Sequence, residues 1–312
     1  MGSRRFLLVL LRWPSPQAEQ VVDTKPLEPI LSPTNFTSTS RLVSQQTFDY
    51  KMIVRSTFTL LALCLIGGAA AAPEKKTVDG VDYLVLHAPI TSVRIIWKDK
   101  SGTPLRTFPA VAQYLKGERL QVDTLMNGGI FEPGGVPSGL LIQNGKVLHP
   151  VNRNKGEGNF FLQPNGIFLV GSAGAAVIRT DEYPLKDITI QQAVQSGPLL
   201  LRQGKVHPAF NANSTSRLHR NGVGVTRKGE VVFAMTDFHS PKFPNLYEFA
   251  QLFQTLGCDD ALFLDGDLSQ MCSGTDLTKE YNNFGSIIAV TGTTNVEQGA
   301  DGKTPEAPKP PH

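Results

Sequence analysis

The sequence is poor in the residues that most often announce a function. Only 3 cysteines and 2 tryptophans occur in 312 residues, and charged side chains make up 18% of the chain. Three thiols cannot build the multi-bridge framework of a small disulfide-stapled fold. Set against 27 acidic residues, 30 basic ones leave a net charge of +3. That excess is too small to hold a nucleic-acid backbone or an anionic membrane face, so no nucleic-acid partner is expected. No apolar run reaches the roughly 18–20 residues of a membrane-spanning helix. The usual catalytic signatures are missing too. There is no Gly-x-Ser-x-Gly elbow, no phosphate loop ending in Lys-Ser or Lys-Thr, no dinucleotide fingerprint and no His-Glu-x-x-His. His207, His219 and His239 are scattered without ligand spacing. A zinc site built from them with an Asp is the lesser reading, and neither a metal nor a cofactor is assigned.

The ends of the chain narrow the domain count. Lys51 and Arg55 flank Met52, an apolar run extends from Phe58 to Ile66, and Gly67-Gly68 and several alanines follow. This three-part pattern over residues 52–71 is that of a secretory signal peptide cleaved after Ala70 or Ala71. The protein is therefore expected to be periplasmic or secreted, with no stable membrane insertion after cleavage. Cys64 does not read as a lipidation site, because Leu61 stands where a small residue is usual. Residues 1–51, rich in Pro, Ser, Thr and Gln, read as a disordered extension or, preferably, as sequence ahead of a true start at Met52. The tail 295–312, ending PEAPKPPH, lacks apolar residues to bury and is expected to be disordered. What remains, residues 78–294, is of the order of 220 residues, an ordinary size for one core. Within it Cys258 and Cys272 flank one strand. An oxidising compartment permits a bridge between them, but two buried thiols are the favoured reading.

What the chain does have is organised around Asn245–Ser273. Asn245 is a good N-cap, with Glu248 three residues on to complete a capping box. Leu246, Phe249, Phe253 and Leu256 form an apolar stripe, and Gly257 ends the helix. Ala261 to Leu264 is then a short apolar run, as expected of a strand buried on both faces, and it stops at Asp265-Gly266-Asp267. Elsewhere, Val81–His87, Val93–Trp97, Val122–Met126 and Ser286–Thr291 read as strands, and Phe108–Lys116 as a short helix. Asn144-Gly145 marks a hairpin between 139–143 and 146–148, because primed turns match strand twist. Pro164-Asn165-Gly166 marks a second, joining 160–163 to 167–170. Gln203-Gly204 marks a third, and Arg227-Lys228-Gly229 a fourth. Hairpins dominate, so the fold is expected to be α+β: a single domain with a largely antiparallel or mixed sheet core and a few flanking helices.

The polar residues of interest fall at strand ends or in glycine-containing turns: Asn127-Gly128-Gly129, Glu132, Gln195-Ser196-Gly197, Arg217, Arg220, Thr236-Asp237, and Asp265-Gly266-Asp267 with Ser269. Glycine beside a polar residue lets backbone N–H groups approach a ligand. Each alone is more simply a turn, a strand break or a solvated side chain. Their order is the informative feature. Asn127-Gly-Gly-Ile-Phe, Pro137-Ser-Gly-Leu, Gly158-Asn-Phe-Phe, Gln195-Ser-Gly-Pro-Leu-Leu, Arg220-Asn-Gly-Val-Gly-Val and Ala261-Leu-Phe-Leu-Asp-Gly follow one another. This succession, across residues 80–292, resembles the phosphodiester glycosidase family (the uncovering-enzyme catalytic domain), and within it the bacterial exported branch, formerly a domain of unknown function.

The resemblance implies hydrolysis of a sugar-1-phosphodiester in a phosphate-linked glycan or glycolipid, and so a phosphate-linked carbohydrate as substrate. Family positions match at Asn127, Gly128, Ser196, Gly197, Arg220, Asp237, Asp265 and Gly266. Many relatives read Asp-Gly-Gly-Gly-Ser after the last buried strand, whereas this chain reads Asp265-Gly-Asp267-Leu-Ser269. Asp267 is therefore not carried over, and a bulkier acidic group there is expected to alter substrate choice. On physical grounds Arg220 is the first candidate for the phosphate, since guanidinium offers a planar fork to two oxygens. Backbone N–H groups at Gly128-Gly129 and Ser196-Gly197 are candidates to complete the cradle, beside Gly266, Asp267 and Ser269. Asp265 and Asp237 are candidates for nucleophile or base, with Glu132 third. The alternatives are a non-catalytic envelope protein that binds phosphoglycans and a metal-dependent phosphodiesterase using the aspartates.

Overall fold

The structure, a computed structural model, describes residues 72–279 and 281–292. The expected extension, signal peptide and tail lie outside these residues. In chain order the first strands are β1 (Glu74–Val78), β2 (Val81–Ala88), β3 (Val93–Ile96), β4 (Val122–Asn127), β5 (Phe131–Glu132) and β6 (Val136–Pro137). Next come β7 (Leu141–Gln143), β8 (Lys146–His149), β9 (Gly166–Gly171), β10 (Gly174–Arg179), β11 (Ile190–Ser196) and β12 (Leu199–Arg202). The last are β13 (Lys205–Val206), β14 (Asn221–Thr226), β15 (Val231–Thr236), β16 (Cys258–Asp265), β17 (Met271–Ser273) and β18 (Ile287–Thr291). The helices are α1 (Phe108–Gly117) and α2 (Leu246–Thr255).

A 7-stranded sheet runs β1-β2-β15-β14-β16-β12-β13, a 5-stranded sheet β10-β9-β11-β7-β8, and a 4-stranded sheet β17-β4-β18-β3. The 2-stranded β5–β6 hairpin stands apart from them. Every strand pairing among the described residues is antiparallel, so the fold is α+β with an antiparallel core. Period-two alternation sorts the large sheet into two faces. Val223, Val225, Phe233, Leu262 and Leu264 turn inward, where they share a core with Phe168 and Val194 of the second sheet and Met126 and Ile288 of the third. The opposite face packs α2 through Phe249, Leu252 and Phe253 against Val232, Ala234 and Phe263. Burying each of these phenylalanines is worth about 1.5–3 kcal/mol. α1 covers the 4-stranded sheet, with Phe108, Val111 and Leu115 against Leu125, Ile287 and Ala289.

α2 forms as its sequence predicts. The Asn245 side chain accepts from Glu248 N at 2.9 Å, and Glu248 Oε2 accepts from Asn245 N at 3.2 Å. Gly257 follows at φ +77, a left-handed conformation that favours glycine. The Glu248 carboxylate also accepts from Arg217 Nη1 at 2.5 Å, Arg217 Nη2 at 3.0 Å and Lys242 Nζ at 3.2 Å. Arg217 foremost among these donors holds the carboxyl down at about 2, against the opposing effect of burial. With its folded value below the unfolded one, the carboxylate adds stability that is complete above about pH 4.5 and lost as pH falls toward 2. Glu248→Gln is therefore expected to cost about 1–2 kcal/mol at neutral pH, after allowance for solvent screening of a part-exposed pair. Denaturant melts should show that gap narrowing steadily below about pH 4.5 and closing as pH reaches about 2; a gap that stays constant over that interval means the ion pair is not its source.

One expectation is corrected, two strands escaped the sequence, and the favoured reading of the cysteines holds. The 160–170 hairpin does not form. Asn159–Phe161 is a short 3-10 turn, the Phe160 carbonyl is taken by Asn165 Nδ2 at 2.8 Å, and β9 pairs instead with β10. β10, Gly-Ala-Ala-Val-Ile-Arg, escapes sequence reading because alanine and glycine carry little strand preference. β1, Glu-Lys-Lys-Thr-Val, escapes it because its charges mark it as an edge strand, not a core one. Cys258 and Cys272 are both free and buried, one packed beneath α2 and the other beneath α1. Separate cores prevent a bridge, and burial pushes both thiols up to about 12.

Candidate active site

Strand ends from all three large sheets meet at the exit of β16. Its last residue, Asp265, pairs in register with Asn221, the first residue of β14. Asn127, which ends β4, donates from Nδ2 to Asp265 Oδ2 at 2.9 Å. Gly266 N donates to the other oxygen, Oδ1, at 2.8 Å. Burial pushes the Asp265 carboxyl up to about 6; the two hydrogen bonds oppose the rise and the neighbouring Asp267 carboxylate adds to it. Such a group changes charge near neutral pH, unlike an ordinary aspartate, and is suited to acid, base or nucleophilic work.

The turn that carries Asp265 is locked from within. Ser269 Oγ donates to Gly266 O at 2.5 Å and Ser269 N donates to the same oxygen at 2.8 Å. Ser269 is fully buried, so it closes the turn and does not reach outward, whereas Asp267 and Leu268 are exposed. Ser196, at the end of β11, is a staple: its Oγ donates to Leu264 O at 2.8 Å and accepts from Ile130 N at 3.3 Å. Gly128 N donates to Ser286 O at 2.8 Å, so it serves the sheet and not an anion. A Cβ on Gly129 would stand 2.9 Å from Gln195 O, and one on Gly197 would stand 2.7 Å from Asn165 Cβ. Close packing demands these glycines, and the expectation that they open the backbone to a ligand is corrected at Gly128, whose N–H is taken by Ser286 O.

Arg220 also differs from expectation. Alternation along β14 turns Asn221 inward with Val223 and Val225, and turns residue 220 to the α2 face with Gly222 and Gly224. The Arg220 guanidinium is 2% exposed, donates to Pro244 O at 3.1 Å and Ser216 O at 2.9 Å, and lies over the Phe263 ring. It braces the loops beside α2 and does not face Asp265 across a cleft. The two other candidate carboxylates have partners of their own. Asp237 Oδ2 is 3.3 Å from Lys75 Nζ and its Oδ1 accepts from His239 N at 2.9 Å. Glu132 is exposed and accepts from Ser138 Oγ at 2.7 Å.

Three neighbours escaped the sequence reading, and a fourth, His219, entered it only as a scattered histidine. Asn221, Gln270 and Ser286 hold Asn127 and Gly128 in place. His219 packs its ring 4.3 Å from that of Phe238 and 4.4 Å from that of Phe243. Burial lowers its pKa, and the Asp267 carboxylate, the Thr236 carbonyl and Asp237 oppose this. The period-two alternation through 220–225 is the one sequence signal that singles out Asn221 over Arg220. Among the described residues no group of three or more His, Cys, Asp or Glu is placed to hold a metal ion.

Comparison with known proteins agrees with this architecture. The phosphodiester glycosidase family model matches residues 121–291. The uncharacterized protein YigE of Escherichia coli (strain K12) is 34% identical over 214 residues, covering 68% of this chain and 82% of its own. The catalytic domain of zebrafish N-acetylglucosamine-1-phosphodiester alpha-N-acetylglucosaminidase, auto-inhibited by its pro-peptide, superposes with a TM-score of 0.51 at 16% identity. That match covers 70% of this chain and 81% of the other, and at such identity it speaks to the fold alone. With strand ends, order of motifs and family match in agreement, the chain belongs to the phosphodiester glycosidase family.

Proposed function

We propose that the protein is an exported hydrolase that cleaves the glycosidic bond of a sugar-1-phosphodiester, with Asp265 as the reacting carboxylate. The observation that carries this reading is the Asp265 environment: a half-buried carboxyl raised to about 6, with one oxygen on Asn127 and the other on Gly266. In the reaction the bond between the anomeric carbon and the phosphate oxygen breaks, water supplies the new hydroxyl on the sugar, and a phosphate monoester departs on the other partner. A phosphodiester oxygen leaves readily as an anion, so strong proton donation to it matters less than in ordinary glycosidases. The ionised Asp265 acts as nucleophile on the anomeric carbon or as base toward water, the two roles a carboxylate takes in glycoside hydrolysis. Asp267 and Asp237 near His219 supply negative charge, which favours a sugar ring as it gains positive character. Export rests on the signal-like segment at residues 52–71.

The test is release of free sugar from a panel of sugar-1-phosphodiesters, with kcat/KM followed against pH. Activity is expected to fall about tenfold per pH unit below about pH 6 and to level above it, because the reactive form is the ionised one. A profile that instead declines above pH 6 assigns Asp265 to proton donation. No sugar release from any member of the panel removes the glycosidase reading.

A further inference from the structure

We propose that Asn221 is a positioning residue for Asp265: it clamps the Asn127 side chain so that the amide N–H of Asn127 faces the carboxylate. Asn221 is fully buried and stands opposite Asp265 across the β14–β16 ladder. Its Nδ2 donates to both Asn127 O and Asn127 Oδ1, each at 2.9 Å. Asn127 Oδ1 also accepts from Gln270 N at 2.8 Å. With Oδ1 occupied by two donors, the Asn127 Nδ2 is left to meet Asp265 Oδ2 at 2.9 Å. Neither amide can be turned over. A reversed Asn127 would set its NH2 against two donors and its oxygen against a carboxylate, and a reversed Asn221 would set its oxygen against two acceptors.

A second observation points the same way. The remaining Asn221 oxygen, Oδ1, is buried without a hydrogen-bond partner. An orphaned buried acceptor is unfavourable, and an apolar side chain of similar size would avoid the cost. With that oxygen making no bond of its own, what Asn221 contributes is its two donated hydrogen bonds to Asn127. The charged groups around Asp265 do not substitute for the clamp. Asp267 on the same turn opposes ionisation, His219 lies on the lead-in to β14, and the Arg220 guanidinium is on the opposite face of the sheet.

This inference rests on Asp265 being the reacting carboxylate, so its test reads the carboxyl directly. In the full chain, labelled with 13C at aspartate carboxyls, the Asp265 resonance is identified by its loss in Asp265→Asn and followed against pH. In Asn221→Leu, which keeps the volume but not the donor, the Asp265 pKa is expected to rise by about one unit, a loss typical of one strong hydrogen bond to the ionised form. Asn221→Ser, which retains a hydroxyl donor, should shift it less. The acid limb of the pH–rate profile should move by the same amount, with KM little changed. A merely structural Asn221 would lower the melting temperature and leave the titration where it was, and that result in both variants overturns the proposal. If neither variant folds, hydrogen exchange of the Asn127 and Asn221 side-chain amides in the unmodified protein decides: slow exchange supports the clamp, and exchange at the rate of exposed amides rules it out. A titration shift in a protein that releases no sugar would sink the glycosidase reading and leave the clamp standing, and sugar release with an unmoved titration would do the reverse.

Discussion

Asp265→Ala is expected to reduce sugar release by about a thousandfold or more, because it removes the nucleophile or base and leaves only binding and the surrounding polar groups. The assay is free sugar produced per enzyme with a chelator present, which keeps an adventitious metal-dependent phosphodiesterase out of the measurement. Loss of fold is separated from loss of chemistry by Asp265→Asn. The folded pKa of Asp265, about 6, lies above the ordinary aspartate value of 3.8. The folded state therefore holds the proton more tightly than the unfolded chain, and ionisation costs stability as pH rises through that interval. An asparagine carries no charge to bury, but its NH2 would face Asn127 Nδ2 or Gly266 N, where Asp265 accepts; Asp265→Asn should therefore still fold cooperatively at pH 7, as a thermal melt would show, while remaining inactive. Retention of more than a tenth of the activity by Asp265→Ala would move the reaction to another carboxylate, and Asp237→Asn and Glu132→Gln would then be the informative variants.

The second large effect is on stability. Gly129→Ala is expected to cost roughly 2–3 kcal/mol, in the range of other overpacked sites, and to lower the melting temperature by about 4–10 °C. The added Cβ would lie 2.9 Å from the Gln195 carbonyl oxygen and 3.0 Å from Val194 Cγ2. Both belong to β11, which is paired on its two sides with β9 and β7 and cannot retreat. Gly128→Ala provides the comparison. There the nearest atom, at 2.3 Å, is Ser286 Oγ, the mobile end of a side chain, although the Ser286 carbonyl follows at 3.2 Å. Gly129→Ala should therefore be the more harmful of the two. If both melt like the unmodified protein, these glycines exist to admit a ligand, not to pack strands.

Much of this protein is legible from its amino acids because the relevant forces are local. The capping box at Asn245 and Glu248, the Asn144-Gly145 turn with both residues at positive φ, and the apolar run ending at Asp265 each form from near neighbours. The two misread regions have local explanations as well: β1 is disguised by its charges and β10 by its small residues. The hairpin expected at 160–170 did not form: Asn165 bonds the Phe160 carbonyl five residues back, and β9 pairs with β10 and β11 instead.

The site itself divides along the same line. Sequence order put forward Asn127, Ser196, Arg220, Asp237, Glu132 and Asp265 with their neighbouring glycines, because turns and strand ends have a chemical signature. It did not reveal what each side chain meets. Whether Arg220 or Asn221 looks into the site depends on which face of β14 meets the other sheets, and that follows from the packing of α2 on Gly222 and Gly224. Whether Gly128 offers its N–H to a ligand depends on a strand some 160 residues further along the chain. Residue types therefore determined the elements, the class of fold and the carboxylates worth considering. Only the meeting of three sheets decided which carboxylate is drawn in from solvent and which amide holds it, because burial and hydrogen-bond pairing belong to assembled surfaces and not to any one stretch of chain.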